Sequence, residues 1–123
     1  MDQELSNIEV LVLAKYLVNK DYFDLVPRRS RESTPVNTAT AKYLFSKLQP
    51  TDFRSYEEDR DRPGTFLWIY HENDDDIIYY IKFKFLTYNE AIEEGHSEMF
   101  ASEPLTRYVW VKFISFHPSR YQN

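Results

Sequence analysis

The chain has no cysteine and only two glycines, Gly64 and Gly95, in 123 residues. The first absence excludes a disulfide scaffold and any thiolate metal site, and it suits a reducing compartment. The second excludes a glycine-rich phosphate cradle and the nucleoside-triphosphate chemistry that depends on one. Histidine is scarce too: His71, His96 and His117 are scattered, so zinc is not expected. No apolar run is long enough to cross a bilayer, and the opening MDQELSN lacks a basic segment followed by an apolar one. A cytoplasmic protein without membrane, metal or small-molecule cofactor is expected, folded as one domain over residues 1–123.

Aromatic residues are plentiful. Ten Tyr, nine Phe and two Trp make up 17 % of the chain, many in period-two runs that suit strands. The net charge of −5 argues weakly against a nucleic-acid partner, but its distribution changes that. ENDDD at 72–76 carries −4 and residues 90–103 carry −5, and removing both from the total leaves the rest at +4. The acid is local, so a basic face remains open.

Along the chain, Ile8, Leu11, Val12, Tyr16 and Val18 recur at three- and four-residue spacings, which predicts a helix over about 4–20. YFDLVP reads as a short strand, about 22–27, ended or placed at an edge by Pro27. The polar run RRSRESTPVNT reads as a loop. Asn37 or Thr38 can cap a second helix over about 38–49, stopped by Pro50. PTDFRSYEEDRDRPG looks turn-like and ends in the break Pro63-Gly64.

Three strands follow, about 65–71, 77–87 and 108–117. ENDDD serves as a hairpin tip with its acid in solvent. The acidic connection 88–107 is long for a hairpin and has room for a helical turn or two, with Asn89 as cap and Gly95 as stop. The expected fold is α+β, with N-terminal helices packed on one face of a small antiparallel sheet.

In the strand at 77–87, Ile77, Tyr79, Ile81, Phe83 and Phe85 share one face, and Tyr80, Lys82 and Lys84 share the other. Cations at alternate positions lie about 7 Å apart, a spacing that can follow successive phosphates. The same pattern also suits an ordinary solvated face, on which lysine stems cover apolar neighbours. Trp68 and Trp110 sit in apolar runs that favour core packing. Loop cations Arg28, Arg29, Arg31, Arg60 and Arg62 can meet phosphates or pair with nearby acids.

The segments LQPTDFRSY, DRDRPGTFLWIY, YYIKFKF and FISFHPSRY, in that order, resemble the MqsR family of toxin mRNA interferases. The resemblance implies a RelE-like fold that lays single-stranded mRNA over its sheet and cuts it without a metal. The ribose 2′-hydroxyl would attack the adjacent phosphate, giving 2′,3′-cyclic phosphate and 5′-hydroxyl ends, and a cognate antitoxin protein would hold the toxin inactive. Carried across residue by residue, the family's strand tyrosine falls on Tyr80, its following lysine on Lys82, and its final basic residue on His117 as general acid or base. Lys84, Arg28, Arg29, Arg62 and Arg120 are the expected RNA contacts. Two positions depart: a catalytic lysine of the family falls on Ser55, beside Arg54, and a glutamine falls on Ile69.

The alternative is a non-catalytic acidic binding protein on the same fold. The two readings differ at one place, since an enzyme needs His117, Tyr80 and a cation around one phosphate position. Strict alternation in the last strand puts His117 with the apolar set Val109, Val111 and Phe113. Only a bulge, or Pro118 ending the ladder at 116 or 117, would bring its imidazole to the Tyr80 face.

Overall fold

The computed structural model describes residues 6–26, 36–96 and 108–119. Helix α1 spans Asn7–Asn19 and α2 spans Thr38–Ser46, with a 3-10 turn at Pro50–Asp52. The strands are β1 Phe23–Leu25, β2 Phe53–Glu58, β3 Phe66–Asp74, β4 Ile77–Thr87 and β5 Tyr108–Pro118, with α3 at Tyr88–Glu93 between the last two. The result is an α+β domain with one five-stranded sheet in the order β1-β5-β4-β3-β2. That sheet is mixed rather than antiparallel, because β1 runs parallel to β5, pairing Phe23 with Val111 and Leu25 with Phe113. Among the described residues, no helix is long and apolar enough to cross a membrane.

Local chemistry sets the helix ends. Ser6 and Glu9 form a reciprocal capping box at the start of α1, with bonds of 3.2 and 2.8 Å. Asn37 caps α2 by accepting from the Thr40 N–H at 2.8 Å. α3 is capped by Thr87 rather than Asn89, and Thr87 forms its own box with Glu90. Gly95 stops α3 at φ 89°, while the His96 N–H returns to the Ala91 carbonyl. A side chain is strained at that φ, which explains the glycine.

Val10, Leu11, Ala14, Leu17 and Val18 of α1 pack on the sheet with Ala41, Leu44 and Phe45 of α2. Phe45 meets Phe83 and Phe113 edge-on at 5.5 and 5.3 Å, and Tyr70 stacks on Phe83 at 5.9 Å. Such aromatic edges add to the area they bury. Ile8, Val12 and Tyr16 face outward instead; the apolar spacing specifies the helix, but α1 is apolar on both sides and only one side meets the sheet.

Two segments differ from expectation. Residues 53–58 form an edge strand rather than a turn. Its charged side chains stay exposed, as an edge allows, while Phe53 and Tyr56 pack on Tyr70 and Trp68. The ENDDD hairpin closes through Asp75 and Asp76 alone, at φ 56° and 67°, a two-residue turn of the primed type. Glu72 therefore belongs to β3 and is buried, 3 % exposed, not held in a solvated tip.

The sheet face away from α1 and α2 is divided. At one end α3 covers a second apolar cluster of Leu86, Ala91, Val109 and Trp110. There the Trp110 indole donates to Asp24 at 2.6 Å and stacks on His96 at 4.0 Å. The other end is open and forms a cavity.

Candidate active site

One irregularity in β5 decides which side chains reach this cavity. Lys82 pairs with Ser115, but the next residue, Phe83, pairs with Phe113, so Ile114 is an extra residue in the ladder. A bulge of this kind exchanges the faces of every residue beyond it. Val111 and Phe113 point to the helices before it, and Phe116 does so after it. Ser115 and His117 consequently share the Tyr80 face. Pro118 does not end the ladder: it still pairs with Tyr79, and the Ser119 N–H donates to the Ile78 carbonyl at 2.7 Å.

The cavity encloses about 600 Å³, and its lining includes Asp52, Arg54, His71, Tyr80, Lys82, Ser115 and His117. His71, Tyr80 and His117 are register partners across β3, β4 and β5. Their rings form a row with centroids 5.6 Å apart on each side of Tyr80, tilted by 53° toward His71 and 36° toward His117. The adjacent row runs Ser55, Ile69, Lys82, Ser115. The two departures noted in the sequence, Ser55 and Ile69, are thus neighbours beside the ring row. Arg54, displaced by a register shift between Phe53 and Ser55, lines the cavity instead.

Electrostatics gives these groups distinct states. His117 is 9 % exposed, and its Nδ1 lies 2.9 Å from the Pro118 carbonyl oxygen. Because a carbonyl can only accept, Nδ1 carries the proton and Nε2 remains for acid or base work. Burial and the Arg54 guanidinium hold the His71 imidazole below its ordinary value, so it is neutral near pH 7. Arg54 is steadied by the carbonyls of Phe53 and Thr51 at 3.1 and 3.4 Å. Lys82 is paired with Glu57 at 2.9 Å.

The remaining expected contacts lie elsewhere. Lys84 is buried and bonded to Asp59 at 2.6 Å, outside the cavity lining, because Asp59 folds over this stretch of β4. Burial pushes the Asp59 carboxyl up, but the Lys84 ammonium and the Asp61 backbone N–H outweigh this and hold it below the usual range. Arg62 reaches Glu90 and Glu93 of α3, each at 3.5 Å, and does not line the cavity. Arg28, Arg29 and Arg120 lie outside the described residues.

His71 and Arg54 went unassigned in the sequence, although one signal pointed to His71. Counting back from a two-residue turn at Asp75-Asp76 puts His71 opposite Tyr80. Among the described residues, no group of three His, Asp or Glu side chains is placed to share a metal ion.

Together the groups offer a neutral imidazole, a second imidazole with a defined tautomer, a phenol, an ammonium and a guanidinium around one cavity. Family models, curated proteins and solved structures give no match to this chain. The functional reading rests on the site.

Proposed function

We propose that this chain is a metal-independent endoribonuclease with a RelE-like fold, acting as the mRNA interferase toxin of a toxin–antitoxin pair. The observation that carries the reading is the placement of His117 beside Tyr80, 5.6 Å between ring centroids, in a cavity that Arg54 and Lys82 also line. Cleavage by a ribose 2′-hydroxyl requires a group to move protons and fixed positive charge to stabilise the phosphorane. His117 supplies the first through Nε2. Arg54 and Lys82 supply the second, with Arg54 in the place of the lysine absent at Ser55. Tyr80 gives a hydroxyl and a flat ring against which a base can stack.

The acidic side chains around the cations favour a second reading. Lys82, Lys84 and Arg62 each already face a carboxylate, as they would in a non-catalytic binding protein on the same fold. Expression of wild type and His117→Ala chains, followed by analysis of RNA ends, separates the two. Growth arrest with cyclic-phosphate ends from wild type alone supports the enzyme. No cleavage of varied RNAs by purified protein at low salt supports the binder.

A further inference from the structure

The cavity contains a second imidazole to which strand cleavage by His117 assigns no task. His71 and His117 stand on β3 and β5, on opposite sides of Tyr80 in the same register row. Each imidazole centroid lies 5.6 Å from that of Tyr80, so the two are separated by at most twice this distance. A phosphate seated in the cavity over the Tyr80 ring has an imidazole on each side, within reach of hydrogen bonds of about 2.8 Å. An in-line displacement at phosphorus needs its proton acceptor and proton donor on opposite sides, because the attacking and leaving oxygens are opposed.

We infer that the site carries a second activity, the hydrolysis of a 2′,3′-cyclic phosphate to a 3′-phosphate, with His71 and His117 exchanging roles between the two steps. The inference rests on the ribonuclease reading above and extends it from one reaction to two. In the first step the 2′-oxygen bonds to phosphorus and His71 takes its proton. The bond from phosphorus to the 5′-oxygen breaks, and His117 protonates that oxygen. His71 is then protonated and His117 neutral.

In the second step a water enters on the side left by the 5′-oxygen. Its oxygen bonds to phosphorus while His117 takes its proton. The bond from phosphorus to the 2′-oxygen breaks, and His71 returns its proton there. One water is consumed, no proton is gained or lost, and both imidazoles return to their starting states. The lowered proton affinity of His71, set by burial and Arg54, suits the residue that must begin neutral. Arg54 and Lys82 stabilise the non-bridging oxygens in both steps.

The test uses the whole purified chain on two substrates, a single-stranded RNA and a 2′,3′-cyclic mononucleotide, with the phosphate ends followed over time. Cyclic ends that appear first and convert to 3′-phosphate, together with opening of the mononucleotide, are expected. His71→Asn and His71→Gln should slow ring opening by roughly 10²-fold or more, with the thermal midpoint confirming that each variant is folded. RNA cleavage whose cyclic ends persist overturns this inference and leaves the ribonuclease reading standing. Mononucleotide opening without RNA cleavage overturns the ribonuclease reading and, with it, the exchange of roles between two steps, and inertness toward both overturns the two together. Ring opening unchanged in both folded His71 variants also overturns the inference.

Discussion

Lys84 and Asp59 meet at 2.6 Å with side chains only 11 % and 9 % exposed, so a lysine in the middle of an apparently basic face is committed to the fold. Removing one partner strands the other charge out of water. Lys84→Ala is expected to cost about 3–5 kcal/mol in urea unfolding, and the double change Lys84→Met, Asp59→Asn much less. The Asp59 carboxyl is held below its unfolded value, so its contribution is present above the unfolded pKa and is lost as pH falls through the folded one.

Glu72 should produce the opposite slope. It is buried, its Oε1 has no hydrogen-bond partner among the described residues, and its pKa is pushed up to about 7, first by burial and then by Asp52 and Asp74, against opposing effects from Lys47 and Lys15. The folded chain then binds a proton that the unfolded chain releases near pH 4.5. Stability therefore falls as pH rises through the interval between these values and levels off above it, a loss of roughly 3 kcal/mol. Glu72→Gln should flatten that part of a plot of thermal midpoint against pH. An unchanged slope would show that Glu72 is not its source.

Substitutions in the cavity should separate chemistry from binding. His117→Ala should lower RNA cleavage by roughly 10²–10⁴-fold with the chain still folded. Arg54→Ala should weaken RNA binding and reduce the slope of log affinity against log salt by about 0.7, the value for one phosphate on a single strand. The double change Lys84→Met, Asp59→Asn, away from the cavity, should leave that slope unchanged. Titrations at several salt concentrations measure the two slopes, and timed cleavage of RNA measures the first effect.

The bulge at Ile114 can be tested by removing it. Deleting this residue makes Phe113 and Ser115 neighbours that match Phe83 and Lys82 without a bulge, and leaves Phe116 toward the helices and His117 toward the cavity. Cleavage and thermal midpoint should both be largely retained, and a loss of cleavage in the folded deletion variant would show that the bulge itself, and not only the face it gives His117, is required. Ile114→Ala keeps the residue count and should retain most of both.

How far the sequence disclosed this structure depends on how local each determinant is. Caps, turns and period-two runs act over a few residues, so α1, α2, β3, β4, β5 and the Gly95 stop could be read directly. Edge strand β2 was hidden because only Phe53 and Tyr56 find apolar neighbours, and its remaining charges resemble a loop. The parity of His117 was not readable, because a bulge depends on how two strands mate rather than on the residues of either one. Lys84 misled for a related reason: its partner Asp59 lies 25 residues away, in a segment whose charges looked solvated. His71 needed only the length of the Asp75-Asp76 turn. Arg54 needed the register shift that displaces it.

The strand order also bears on when the site comes into being during synthesis. β5 is made after the other four strands, yet it lies between β1 and β4. Until it emerges, β1 has no strand to pair with, Tyr80 is flanked by His71 alone, and the cavity lacks a wall. A growing chain with its first four strands complete thus has neither a closed sheet nor the His117 imidazole. Under the ribonuclease reading proposed above, late arrival of β5, one place in from the sheet edge, would keep an unfinished chain inert beside the messenger that encodes it.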